Sequence, residues 1–118
     1  MKESVLVEGL ARWLKENHPK VIFRFDLFAD TPMPHKLAQL NRKLHGKHTK
    51  GYPDLIVLGP GGRPLFLELK ATDTVPNTEH TRRQRKFHEK LRRLGYEVHF
   101  CCGFKECIEK LKDYLEKS

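Results

Sequence analysis

The sequence contains no apolar run near the ~20 residues that a membrane-spanning helix requires, so no membrane partner is expected. The first residues, Met1 to Ser4, lack the apolar core of a secretory signal peptide. Cysteine is scarce, and the three cysteines (Cys101, Cys102 and Cys107) are an odd number in a chain without such a signal. They are expected to be reduced, mostly buried thiols. These absences predict a cytosolic location.

Acidic residues are also in deficit, with 15 Asp and Glu against 23 Lys and Arg, which gives a net charge of +8. The basic residues cluster in two blocks: residues 36–50 contain no acid, and residues 82–93 contain only Glu89. Such blocks suit a polyanionic partner, with nucleic acid favoured. The alternative is two solvated helix faces. The candidate DNA-binding residues are Lys43, Lys47, Lys50, Arg82 and Arg83.

At 118 residues the chain is predicted to be a single domain spanning residues 1–118. Apolar periodicity predicts an α/β fold, with a small mixed central sheet and helices on both faces. Inward positions include Leu37, Leu40 and Leu44 in the second helix, Phe87, Leu91 and Leu94 in the third, and Phe104 in the last. The predicted helices cover residues 3–17, 35–44, 81–93 and 104–115, and the strands cover residues 21–28, 54–58, 65–70 and 96–102.

An acidic hairpin is the most informative feature. Asp54 begins a short apolar strand, glycines form the turn, and the returning strand carries Glu68-Leu69-Lys70. Because side chains alternate across a strand, Glu68 and Lys70 share one face. Two acids and a lysine at one end of a hairpin can hold a divalent metal and activate water against a phosphodiester. Otherwise, Asp54 is a strand-start residue, and Glu68 and Lys70 point to water from an edge strand.

This pattern resembles the PD-(D/E)XK nucleases, and the chain as a whole resembles their VRR-NUC branch in its small stand-alone form, found in phages and bacteria. The supporting segments are Glu3 in a first helix, Gly51-Tyr52-Pro53-Asp54-Leu55, Glu68-Leu69-Lys70, Gln84 in a helix, and Leu94-Gly95-Tyr96-Glu97-Val98. The resemblance implies a restriction-endonuclease-like core of αβββαβ order. It implies catalytic roles for Asp54, Glu68, Lys70, Glu3 and Gln84, and Mg²⁺ or Mn²⁺ held by Asp54, Glu68, Glu3 and the backbone carbonyl of Leu69.

Two of these assignments have local alternatives. Glu3 is preferred to Glu8 as the helix acid because Glu3 lies on the apolar stripe, but an acid in a first turn can simply complement the helix dipole. Gln84 can serve instead in a capping box that begins at Thr81. A zinc site from His99, Cys101 and Cys107 is a remote alternative, since the spacing matches no familiar ligand pattern.

The resemblance implies a Mg²⁺- or Mn²⁺-dependent endodeoxyribonuclease that is selective for branched DNA, such as four-way (Holliday) junctions. It also implies a homodimer, because symmetric cleavage of two strands requires two sites related by a two-fold axis. The competing hypotheses are a basic DNA-binding module without catalysis and a scaffold in a phage or repair complex.

Overall fold

A computed structural model of the chain describes residues 2–26, 34–46 and 52–116. Within these ranges no helix is long and apolar enough to cross a membrane. The elements, in chain order, are α1 (Glu3–Asn17), β1 (Ile22–Phe25), α2 (His35–His45), β2 (Leu55–Leu58), β3 (Pro64–Lys70), α3 (Glu79–Arg93), β4 (Glu97–Cys102) and α4 (Gly103–Glu116).

The four strands form one mixed sheet in the order β1-β2-β3-β4. β1 pairs with β2 and β2 with β3 in antiparallel fashion, whereas β3 and β4 are parallel. The β2–β3 connection is a short turn in which Gly61 and Gly62 have φ of 84° and 70°. That left-handed conformation favours glycine. The third helix is the crossover that a parallel β3–β4 pair requires.

The two faces of the sheet carry separate apolar clusters. On one face Leu65, Leu67 and Leu69 of β3 pack with leucines of α1 and with residues of α4. On the other face Phe66 packs with Phe87 and Leu91 of α3. This is the alternation expected of a strand covered on both sides. It confirms that Glu68, two residues after Phe66, faces α3.

The predicted fold class is confirmed, but several inward assignments were wrong. Leu37, Leu40 and Leu44 of α2 are between 49% and 66% exposed. The apolar spacing identifies one face of the helix, but that face is buried only where another part of the protein packs on it. Leu94 follows the end of α3 and is exposed. Phe104 is also partly exposed, since its ring lies against Gly9 of α1 rather than in the core.

The element boundaries moved by a few residues. The first strand ends at Phe25 within the described ranges, and the predicted residues 27–28 lie outside them. The third helix begins at Glu79, two positions earlier than predicted. Its N-cap is Thr78, whose hydroxyl accepts a hydrogen bond from the Thr81 backbone N–H while the Thr81 hydroxyl accepts from the Thr78 N–H. This reciprocal pair is a capping box, so the box predicted to begin at Thr81 was wrong.

Candidate active site

Asp54 lies immediately before β2, at the position where the hairpin brings it beside Glu68. The antiparallel register pairs Leu55 with Leu67, so Asp54 lies opposite Glu68 at the next position. The Leu69 backbone N–H donates to Asp54 Oδ2 at 2.8 Å. The Asp54 carbonyl also accepts from the Asp26 N–H at 2.7 Å. The Leu69 backbone therefore fixes the Asp54 carboxylate, and the Asp26 N–H fixes the Asp54 backbone.

Glu68 is fully buried, with 0% of its surface exposed. β3 is an interior strand, paired with β2 on one side and β4 on the other. The alternative in which Glu68 points to water from an edge strand is therefore wrong. A buried carboxylate is costly unless a cation or hydrogen bonds compensate its charge. Hydrogen bonds to Glu68 supply part of this compensation, and the buried carboxylate is also a potential ligand for a divalent metal.

The pKa of Asp54 shows that its ionised form is also disfavoured at this position. Burial, followed by the hydrogen bond and the charge repulsion from Glu68, raises the pKa of Asp54 from 3.8 to about 8. The hydrogen bond from the Leu69 backbone and the charge of Lys70 act in the opposite direction. Two adjacent carboxyl groups hold a proton between them when no cation is present. Hard oxygen ligands in this arrangement fit Mg²⁺ or Mn²⁺.

Lys70 extends the site towards α3. Its Nζ donates to Gln84 Oε1 at 2.9 Å, and Gln84 Nε2 lies 3.2 Å from His80 Nε2. The Lys70 ammonium also stands 5.9 Å from the centroid of the Phe100 ring, in cation–π range. The structure therefore brings Gln84 to the end of β3 that carries the acids.

His88 is a site residue that sequence reasoning missed. It is fully buried on α3, and its Nε2 lies 3.3 Å from Glu68 Oε1. Its ring packs on Phe100 with the centroids 4.5 Å apart. Burial, followed by the charges of Arg92 and Lys70, lowers the pKa of His88 to about 4, although Asp54 raises it. The imidazole is thus neutral at pH 7 and orients the Glu68 carboxylate by a hydrogen bond.

A sequence signal for His88 existed. Gln84, His88 and Leu91 are spaced by four and three residues, so they share one face of a helix. The chain has no His-His or His-Cys metal motif, so motifs alone do not single out His88. The stripe shows that His88 faces inward, but the strand residue that it meets depends on how α3 packs on the sheet.

The remaining metal assignments stay predictions. Glu3 is exposed in the first turn of α1, whose leucines pack on the sheet face opposite to α3. Among the described residues no group of three or more His, Cys, Asp and Glu side chains could hold a metal ion. This finding supports neither the zinc alternative nor a ligand set in which Glu3 already lies beside Asp54 and Glu68. Instead, the thiols of Cys101 and Cys107 hydrogen-bond in the core, which raises the pKa of Cys101.

The described candidate DNA-binding residues lie on two helices. Lys43 is exposed on α2, and Arg82 and Arg83 are exposed on α3. Arg83 forms an ion pair with Glu79 at 2.7 Å, whereas Arg82 has no ion pair with a described residue. Lys47 and Lys50 lie outside the described residues. Arg82 and Arg83 precede the buried Gln84 on α3, so that helix carries both basic residues and a site residue.

Comparison with solved structures identifies the fold. One structure, described as a VRR_NUC domain protein, is 23% identical, with a TM-score of 0.66 over 98% of this chain and 89% of that chain. The chain has the VRR_NUC fold. A second VRR_NUC domain is 20% identical, with a TM-score of 0.57 over 92% of this chain and 97% of that chain. No protein-family profile and no curated protein matches the sequence.

The sequence motifs resembled those of VRR-NUC proteins, and the shared fold confirms that resemblance in architecture. Both solved structures align over nearly the whole chain, so the similarity includes the hairpin, α3 and β4. Fold alone does not specify activity. The functional argument therefore rests on the site formed by Asp54, Glu68, Lys70, Gln84 and His88.

Proposed function

We propose that the protein is a Mg²⁺- or Mn²⁺-dependent endodeoxyribonuclease that hydrolyses phosphodiester bonds. The observation that carries this proposal is the pair of adjacent carboxyl groups at Asp54 and Glu68, beside the ammonium of Lys70. Glu68 is buried on an interior strand beside Asp54, so the two carboxyl groups are held in place rather than dispersed in solvent. The same three groups provide ligands for a hard metal and a positive charge for a phosphate.

The residues present fit a divalent cation. Asp54 and Glu68 would hold it. Burial, followed by the hydrogen bond and the charge of Glu68, raises the pKa of Asp54, and a bound cation would favour the ionised form of both carboxyl groups. Glu3 and the Leu69 carbonyl are further candidate ligands. A divalent cation bound here would act as a Lewis acid on the phosphodiester and lower the pKa of an attacking water.

The chain's own residues have separate roles in this proposal. Lys70 stabilises the charge that develops on the phosphate oxygens and orients the water. Gln84 holds the Lys70 ammonium in place through its 2.9 Å hydrogen bond. His88 fixes the orientation of Glu68 through its 3.3 Å contact with Oε1. Preorganised groups of this kind avoid reorganisation costs during the reaction.

We further propose that the substrate is branched DNA, such as a four-way junction, and that the active form is a homodimer. Arg82 and Arg83 on α3 and Lys43 on α2 supply exposed positive charge for phosphates that converge at a branch. A two-fold dimer matches the symmetry of a junction cut on two strands. We propose that it acts in the cytoplasm of a bacterium or of a phage-infected cell.

The first test is nicking of labelled DNA by Asp54→Asn in the presence of Mg²⁺ or Mn²⁺. Cleavage should be abolished while DNA affinity stays near that of the wild type or rises, because the change removes a metal ligand and a repulsive charge together. Asp113→Asn, on the exposed surface of α4, is the matched control. Unaltered nicking by Asp54→Asn would refute the assignment of this site. Tight DNA binding by a wild type that never cleaves would support the non-catalytic module.

The second test addresses substrate and assembly. A panel of linear duplex, single strand, flap, fork and four-way junction should be cleaved with a preference for the branched forms. Solution mass should correspond to two chains. Replacing both Arg82 and Arg83 with alanine should weaken binding to every DNA shape and flatten its salt dependence. A strict monomer that cuts linear duplex as fast as a junction would contradict the branched-DNA proposal and leave a general endonuclease.

A further inference from the structure

A cleft adjoins the carboxylate end of the site on the sheet face that α3 covers. It has a volume of about 300 Å³ and is lined by Arg24, Asp26, Tyr52, Pro53 and Ile56. Pro53 directly precedes Asp54, and the Asp26 N–H binds the Asp54 carbonyl. The cleft therefore begins at the backbone of the metal-binding residue.

The cleft and the catalytic side chains share one face of the sheet. Arg24 is the cross-strand partner of Ile56, and Ile56 is the partner of Phe66. Directly paired residues point to the same side of a sheet. Glu68 lies two residues after Phe66, so it also points to that side. A ligand in the cleft would thus lie on the same face as Glu68 and Lys70.

Tyr52 presents an exposed aromatic ring in this cleft. One part of the ring packs on Phe87 of α3, with the centroids 4.8 Å apart. This contact restricts the ring, while 47% of the residue remains exposed. A half-exposed, supported ring is a stacking platform, which nucleic-acid-binding proteins use for unpaired bases. In an intact duplex the bases stack on one another and their faces are not available.

Together with Tyr52, the charged residues Arg24 and Asp26 provide groups that can contact the base and the phosphate of one nucleotide. Arg24 is exposed and forms no ion pair with a described residue, so its guanidinium is available for a phosphate. Asp26, on the same side of β1, is also exposed and can accept hydrogen bonds from a base amino group. The set therefore offers contacts for a base face, a phosphate and a base edge.

We infer that this cleft is a subsite for an unpaired nucleotide of DNA that lies next to the scissile phosphate, with its base stacked on Tyr52 and its phosphate bound by Arg24. The inference rests on the proposed nuclease function and specifies its substrate class. It gives a physical cause for selectivity towards flaps and forks, because their single-stranded arms offer unpaired nucleotides, whereas a linear duplex and a fully paired four-way junction do not.

The experiment measures binding without cleavage, in Ca²⁺ and separately in EDTA. The probes are a duplex with one unpaired 2-aminopurine nucleotide and the same duplex fully paired. The wild type should bind the first at least about tenfold more tightly and change its fluorescence by stacking. Tyr52→Leu should lose both effects, Tyr52→Phe should keep them, and Arg24→Gln should weaken binding of the unpaired probe.

Matched controls lie at the far end of the sheet. Tyr96 is 41% exposed and packs on Phe66, and Arg63 lines a different cavity together with it. Tyr96→Leu and Arg63→Gln should leave the preference for the unpaired probe intact. Equal binding of both probes by the wild type would overturn the subsite, as would a preference that persists in Tyr52→Leu. Failure of the nuclease proposal is seen separately, as absence of cleavage with Mg²⁺ or Mn²⁺.

Discussion

Lys70 Nζ donates a hydrogen bond to Gln84 Oε1 at 2.9 Å, which connects the end of β3 to α3. An ammonium can only donate, so the amide oxygen must face Lys70. The amide nitrogen then faces His80 Nε2 at 3.2 Å, which must accept. The orientation of Gln84 is thereby defined by both of its neighbours, and the position of the Lys70 charge is defined by Gln84.

Gln84→Leu should lower the rate of DNA cleavage by at least about tenfold, which corresponds to roughly 1.4 kcal/mol of transition-state stabilisation. The reason is that the Lys70 ammonium loses the acceptor that positions it. Mn²⁺ affinity should be unchanged, because Gln84 is not a proposed ligand. Gln39→Leu, on the exposed surface of α2, is the control. Single-turnover rates at saturating metal measure the effect, and a full rate in Gln84→Leu would contradict it.

His88→Leu should weaken Mn²⁺ binding to the DNA-free protein by about tenfold to a hundredfold, because partners of metal ligands orient the ligands. His88→Gln, whose amide can still donate to Glu68, should recover part of the affinity. Free Mn²⁺ measured by electron paramagnetic resonance gives the dissociation constant.

The pair of His99 and Glu97 on β4 supplies the comparison for His88. These side chains are in contact at 2.8 Å in a half-exposed position. His99→Leu removes a similar contact and should leave Mn²⁺ affinity unchanged. Equal losses in the two variants would show that the His88 contact has no specific effect on the metal site.

The free energy of unfolding should change with pH because the pKa of Asp54 differs between the folded and unfolded states. The pKa of Asp54 is raised to about 8 in the folded protein, so between about pH 4 and pH 8 the folded state binds more protons than the unfolded state. Its contribution to the free energy of unfolding is full at low pH and is lost as pH rises, by at most about 1.4 kcal/mol per pH unit.

The pKa of His88 is lowered from 6.5 to about 4. Its contribution is full above pH 6.5 and is lost as pH falls towards 4, opposite in sign to that of Asp54. The two effects oppose each other between pH 4 and 6.5, and a net decline should appear between pH 6.5 and 8. Denaturant unfolding in EDTA should show this decline in the wild type and a flatter profile in Asp54→Asn. An identical decline in both proteins would refute the Asp54 assignment.

The acids of α1 provide a test within one helix. Glu3→Gln should slow cleavage by at least about tenfold, roughly 1.4 kcal/mol, if Glu3 contributes to the metal site as the resemblance implies. Glu8→Gln should have almost no effect, because Glu8 lies on the solvent side of the same helix. Both residues are exposed, so neither change should disturb folding. The reverse result would assign the helix acid to Glu8.

Local pattern determined much of this protein. Alternation along residues 65–70 predicted that Glu68 and Lys70 share a face. The glycine turn predicted that the returning strand brings them beside Asp54. These inferences succeed because period and turn chemistry are properties of neighbouring residues. The order of helices and strands followed from the same periodicities.

Tertiary structure decided what depends on a distant partner. The apolar stripe of α2 is a clear pattern, yet no described residue of that helix is buried, because burial requires a second surface. Threonine is a favourable N-cap residue at both position 78 and position 81, and the helix begins after Thr78. The parallel pairing of β4 made β3 an interior strand and buried Glu68, and the packing of α3 placed His88 against that carboxylate. Sequence thus specified the chemical groups and their faces, whereas packing set their burial, partners and pKa values, since those depend on atoms far apart in the chain.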